Sequence, residues 1–270
     1  MDSGGQTRRE VPEKTEFLYR SYLALGQYHI ILSEIKDVAT TPVGLRAVKL
    51  LASVLSEPVG RTDAALVQVQ EWLADGSLSS NSLKLVAAIL FMHDDNLKDA
   101  LKAIRNPSNS DIEQHALTTQ IYLRMDRLDL AQKQLKSMRA IDEDSTLTQL
   151  ATAWIHLSTP GKAQDASYIF EELSDKHGAS ALLLNGLAVS KMHQAAFEEA
   201  ETLLQEALGK APADPDSLAN LIAVSQHLQR APEVVSRYLA QLKAKAPAHQ
   251  LLTSLATFEG AYDRVAATLR

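Results

Sequence analysis

Eight histidines and 33 aspartates and glutamates are present in this 270-residue chain, and there is no cysteine, so a metal or acid-base site would have to be built from imidazoles and carboxylates. Their spacing argues against one. No H-E-x-x-H occurs and no two histidines form a close pair on one helical face, the arrangements that bring two ring nitrogens to one ion. The acidic runs Asp94-Asp95 with Asp99, and Asp142-Glu143-Asp144, could attract calcium, but neither has the D-x-[DN]-x-[DN]-G spacing with its distal glutamate. Solvated turns between helices account for both. No phosphate-cradling glycine loop and no G-x-S-x-G nucleophile turn is found, so the expectation is a non-enzymatic protein with no catalytic, metal or cofactor residues.

Three of the histidines nevertheless recur at one place, because the chain repeats. Ala166, Ala200 and Val234 are 34 residues apart, as are Phe170, Leu204 and Tyr238, and Leu150, Leu184 and Leu218. A period of this length identifies stacked helical hairpins. The run Leu184, Leu187, Ala188, Phe197, Ala200, Leu204, Ala207 and Pro212 fits the tetratricopeptide pattern, and only Lys191 departs, where an aromatic is usual. Hairpin starts are placed at 12, 46, 81, 112, 147, 181 and 215. His93, His193 and His227 are then each thirteenth in a unit, at the end of a first helix, where a cation or donor suits the free carbonyls and the helix dipole.

The second helices carry a small residue followed four later by a large one: Ala65/Val69, Ala100/Ile104, Ala131/Leu135, Ala166/Phe170 and Ala200/Leu204. Two helices approach closely only where one side chain is small, so the alanines set the spacing and the larger residues fill the gap beside it. Asp99, Asp129, Asp165 and Glu198-Glu199 mark the starts of second helices, and Pro58, Pro107, Pro212 and Pro247 separate units. The 31-residue unit ends in Asn106-Pro107-Ser108-Asn109-Ser110, consistent with a clipped second helix and a turn. Trp72 and Trp154 are expected in the core. The fold class is therefore all-α, a tetratricopeptide-like right-handed solenoid of about seven hairpins with a short C-terminal helix. Its parts are a disordered segment 1–11, an array 12–249 and a closing helix and tail 250–270.

Composition agrees with a folded protein-binding array. Hydrophobic residues are 46% and charged residues 22%, too apolar for intrinsic disorder. A net charge of -6 disfavours a nucleic-acid partner. The first ten residues lack the apolar core of a signal peptide, and no apolar run is long enough to span a bilayer, so a cytoplasmic location is expected.

First helices of such arrays line the concave side, where a ligand segment is usually held. The second, fifth, ninth and twelfth residues of each unit should point inward. They include Leu85, Ile89 and Met92, then Ala116 and Gln120, then Ala151 and Ile155, then Leu182, Asn185, Val189 and Met192, then Ala219, Ala223 and Gln226. The lining is small, apolar and almost uncharged. It lacks the inward lysines and arginines that would clamp an acidic peptide tail, and it suits an extended segment or hairpin of a protein partner, with Leu182, Val189 and Met192 as anchors. The alternative for this face is that neighbouring first helices cover part of it. A generic tetratricopeptide adaptor or co-chaperone is the second functional reading.

The runs FLYRSYLALGQY (17–28), RLDLAQKQLKSM (127–138), DEDSTLTQLATAW (142–154), ASYIFEEL (166–173), LLLNG (182–186), LLQEAL (203–208), NLIAVSQHL (220–228) and PEVVSRYLAQLK (232–243) closely resemble the epsilon subunit of coatomer. The resemblance covers about residues 16–265 in order. It implies a structural subunit of the coat on Golgi-derived vesicles, acting in Golgi-to-ER retrograde and intra-Golgi transport. It also implies that the array wraps a projecting segment of the alpha subunit's C-terminal domain, stabilises that subunit, and associates with membranes only through the complex. Members of that family usually begin one hairpin earlier, and residues 1–15 do not resemble that hairpin.

Overall fold

The computed structural model describes residues 4–38, 40–57, 61–75, 78, 80–104 and 111–268, with side chains from residue 14 onward. Every regular element among the described residues is a helix. The fold divides into two compact units, Met1–Glu143 and Asp144–Arg270, where the sequence suggested one continuous array. The boundary falls in the polar turn Asp142–Ser145, a stretch without apolar side chains that could pack.

The first unit holds four hairpins: α1 (Gly4–Ala24) with α2 (Tyr28–Glu34), α3 (Val43–Ser56) with α4 (Thr62–Ala74), α5 (Asn81–His93) with α6 (Leu97–Ala103), and α7 (Ile112–Arg124) with α8 (Leu128–Ile141). The second holds three, α9 (Thr146–Leu157) with α10 (Ala163–His177), α11 (Ala181–His193) with α12 (Phe197–Lys210), and α13 (Pro215–His227) with α14 (Pro232–Lys245), followed by α15 (Gln250–Thr268). From the second hairpin on, the expected starts lie within three residues of the observed ones. The N-terminus departs from expectation: helix, not disorder, begins at Gly4, because Arg8, Arg9, Glu10, Glu13 and Lys14 are good helix formers that need no apolar period. In the 31-residue repeat, α6 has only seven residues, the clipped second helix expected there; Asn106 to Ser110 lie outside the described residues.

The small-then-large pair is buried in five of the hairpins. Ala65, Ala100, Ala131, Ala166 and Ala200 are all buried, and so are Val69, Ile104, Leu135, Phe170 and Leu204 four residues later. In the first unit, Val69 and Ile104 belong to one cluster with Leu51, Leu83, Leu90 and Phe91, which Trp72 also joins. In the second, Phe170 packs among Ala153, Leu173, Leu183 and Leu187, with Trp154 at its edge, while Leu204 packs with Ala188, Leu221 and Val224. Gly186 completes the Phe170 site, since a Cβ there would come within 2.5 Å of the ring. Burial fades toward the C-terminus. Val234 and Tyr238 of α14 are half-exposed, and on α15 Leu252 is buried and Leu251 and Leu255 are half-buried, whereas Phe258, Tyr262 and Val265 are bare.

Among the described residues, one turn conformation joins first to second helices in six hairpins. Gly26, Asp95, Asp126, Gly161, Ala195 and Gln229 all have φ between 52° and 78°, and each is fifteenth in its repeat, counted from 12, 81, 112, 147, 181 and 215. In five of them the next amide donates back to the carbonyl five residues earlier: Gln27 to Tyr22, Asn96 to Phe91, Arg127 to Tyr122, Ala196 to Lys191 and Arg230 to Ser225. This is the Schellman closure, which satisfies orphan helix carbonyls at the cost of one left-handed residue. The acidic residues that follow are in the first turns of second helices as expected. Asp129, for example, is held down to a pKa of about 2 by hydrogen bonds from Arg127, 2.8 and 2.9 Å long.

Two outcomes follow from this packing. Ala195→Gly removes the left-handed penalty at φ 60° and should stabilise the chain by about 0.5–1 kcal/mol in urea unfolding. Gly186→Ala forces a methyl into the Phe170 ring and should destabilise by about 1–3 kcal/mol, seen as a lower urea midpoint at unchanged slope.

Candidate docking face on the first helices

The expected inward positions do not all present a surface. Leu85, Ala116, Ala151 and Ile155 are buried, as are Ser82 and Thr148 in the same register, so these members of the expected lining are corrected to core. The reason is close approach between helices: α5 alone buries Ser82, Leu83, Leu85, Val86, Ala87, Ala88, Leu90 and Phe91, which surround its whole circumference. Ile89 and Met92 pack half-buried on the first unit's core, and Gln120 is half-buried on α7.

The face survives on α11 and α13. Leu182 is 60% exposed, Val189 and Ala223 are half-exposed, Met192 and Ala219 are half-exposed with part of each side chain packed on the second unit's core, and Gln226 is exposed. Together they form an uncharged strip across two successive first helices of the second unit. Asn185, expected in the lining, bonds within the chain: its side-chain carbonyl oxygen accepts a 2.8 Å hydrogen bond from the Asn220 side-chain amide, tying α11 to α13. The sequence reading overlooked Asn220, although its distance of 35 residues from Asn185, one repeat, was a usable signal. At the strip's end Asp216 is exposed and is 3.3 Å from the His249 ring.

Behind this strip, Lys191 explains its own departure from the aromatic pattern. Its ammonium is 3.1 Å from Glu199 on α12 and 3.9 Å from Glu171 on α10, so an ion-paired cation bridges two second helices where a ring would otherwise pack. Of the three helix-ending histidines, His93, His193 and His227 each occupy the last position of their helices. Their rings do not act uniformly as cationic caps. Desolvation first, and then the Arg124 guanidinium, lower the His93 pKa and favour the neutral ring, while His227 stacks on Phe197 with centroids 4.4 Å apart. Among the described residues, no group of three or more histidines, aspartates or glutamates is arranged to hold a metal ion, and no helix is long and apolar enough to cross a membrane.

Helical hairpins closed by repeated left-handed turns, with small residues at each close contact, define a tetratricopeptide-type protein. Solved structures agree on the fold: a tetratricopeptide repeat protein from Parabacteroides merdae superposes with a TM-score of 0.64 at 14% identity, covering 93% of this chain and 98% of that one. A chain from the Cut9–Hcn1 hetero-tetramer of the APC/C gives 0.62 at 16% identity, over 88% of this chain and 47% of that one. Within this class, a family model described as coatomer epsilon subunit matches residues 3–270, and the chain belongs to that family. It is 44% identical over 260 residues to coatomer subunit epsilon-1 of Arabidopsis thaliana, covering 96% of this chain and 86% of the relative. It is 34% identical over 257 residues to coatomer subunit epsilon of Dictyostelium discoideum, covering 93% and 85%. The epsilon subunit of Caenorhabditis elegans is 35% identical over 266 residues, covering 98% and 90%.

Replacing Lys191 by Met keeps the volume but leaves Glu171 and Glu199 without their shared cation. We expect a loss of about 0.5–1 kcal/mol at low salt that shrinks toward zero in 1 M NaCl, measured by urea denaturation at both ionic strengths.

Proposed function

We propose that this chain binds and stabilises the C-terminal domain of the coatomer alpha subunit through the strip on α11 and α13. In this reading it works as a structural, non-catalytic part of the coat on the cytoplasmic face of Golgi membranes and vesicles. It then serves Golgi-to-ER retrograde and intra-Golgi transport, reaching the membrane only through the complex.

The observation that carries the reading is the uncharged, accessible row Leu182, Val189, Met192, Ala219 and Ala223 in a chain of the coatomer epsilon family. Apolar anchors flanked by polar groups such as Gln226 are what a protein segment needs for burial with backbone hydrogen bonds at the edge. The absence of basic residues along the row disfavours an acidic tail as the ligand, which is the main distinction from a co-chaperone.

The test is co-purification of the native chain with the alpha subunit's C-terminal domain, followed by titration. Val189→Glu with Met192→Glu would bring two carboxylates into an apolar contact and should weaken binding by about a hundredfold or more while helical content by circular dichroism is unchanged. Native affinity in this double variant would mean that the docking surface is elsewhere; no binding by the native chain would remove the alpha-subunit assignment itself.

A further inference from the structure

In a simple stack, α1 would touch only its own partner α2 and the next first helix α3. It reaches further. The Glu16 carboxylate accepts a 2.5 Å hydrogen bond from Ser82 on α5 and rests against Gly44 on α3, where a Cβ would collide with it. One turn along the same face, the Arg20 guanidinium makes two 2.9 Å bonds to both oxygens of Glu113 on α7. Gly44, Ser82 and Glu113 are each the second residue of their helices. Three successive first helices therefore offer one aligned row, made of a missing side chain, a hydroxyl and a carboxylate. The row receives two side chains spaced i and i+4 on a fourth helix, the spacing that puts them on one helical face.

The match is chemical as well as steric. Glu16 sits against the first turns of α3 and α5, where free amides favour an anion, and Gly44 leaves the room that any other residue would fill. Arg20 meets Glu113 with one terminal guanidinium nitrogen 2.9 Å from both carboxylate oxygens, a charge-assisted contact. Yet α1 is lightly held. None of its residues 14–24 is fully buried, Phe17 and Leu18 are more than half exposed, and Tyr19, Tyr22 and Leu23 only rest at half burial on Ile31, Ile35, Val48 and Ala52. By contrast α3 buries six residues.

We propose that the first turns of α3, α5 and α7 form a helix-docking site whose resident ligand is the chain's own α1, and that a helix carrying a carboxylate and, four residues later, an arginine exchanges with it. The site is in the first unit and is independent of the face on α11 and α13. A tethered ligand faces its site at an effective concentration in the millimolar range, so it masks the site from free competitors until its own contacts are weakened.

The probe is a fluorescent peptide of residues 12–27, titrated into full-length chains and read by anisotropy, with hydrogen exchange of residues 14–24 followed in parallel. In Arg20→Glu, α1 faces Glu113 with a like charge, so its amides should exchange faster, and the peptide, which keeps its arginine, should bind at least about tenfold more tightly than to the native chain. Glu113→Arg should also free α1 but bind the native peptide no better than the native chain does. Arg20→Glu combined with Glu113→Arg should restore slow exchange, which separates the pairing from a general folding defect. Unchanged exchange in Arg20→Glu, or equal peptide affinity of the native and Arg20→Glu chains, would overturn the proposal. A concentration-dependent native dimer in which α1 protection is lost on dilution would overturn the assignment in cis, by making α1 the ligand of a second copy.

Discussion

Close approach between a methyl and a large apolar side chain is the interaction on which this structure depends. In five of the hairpins Ala65, Ala100, Ala131, Ala166 and Ala200 are the buried small residues of the second helix, and Val69, Ile104, Leu135, Phe170 and Leu204 are the buried large ones four later. Because the same pair recurs from one of these repeats to the next, each can pack on its neighbours without a central core. What differs between repeats is then confined to positions that this contact leaves free. That is how Lys191 can replace a ring, and how α6 can end after seven residues, without loss of the hairpin order.

The turns express the same economy in the backbone. In six of the hairpins a left-handed residue at the fifteenth place closes the first helix and redirects the chain for the antiparallel return. Glycine would be the unstrained choice, yet Asp95, Asp126, Ala195 and Gln229 hold that conformation with ordinary side chains. Tertiary packing on both sides outweighs a local preference, as expected when a short turn joins two well-buried helices.

Much of the architecture was legible in the sequence because repetition multiplies a weak signal: Ala200 alone says little, but Ala166 and Ala200 with Phe170 and Leu204 define a register. The hairpin starts from 46 onward follow from it. The turn conformation was not legible, since four residue types occupy the fifteenth place among the described turns and only glycine would have announced it. Helix at 4–11 escaped because charged helix formers carry no apolar period. The exposed row was half legible. Register grouped Leu182, Val189 and Met192, which remain at least partly exposed on α11, but it treats every repeat alike, and so could not tell that Leu85 and Ala116 are buried. Nor could a nearest-neighbour pattern anticipate Arg20 on Glu113, a contact across 93 residues.

At the other end of the chain, α15 carries one continuous apolar stripe of which only the first turns are covered. Leu252 belongs to a cluster with Leu218, Ile222 and Leu242, while Phe258, Tyr262 and Val265 project into water. A repeat array normally terminates in a helix whose outer side is polar, because the last apolar side has no successor to cover it. Among the described residues of this helix, Glu259, Asp263 and Arg264 are interleaved with the bare side chains, so any surface that buried the stripe would have to pair or desolvate three charges as well.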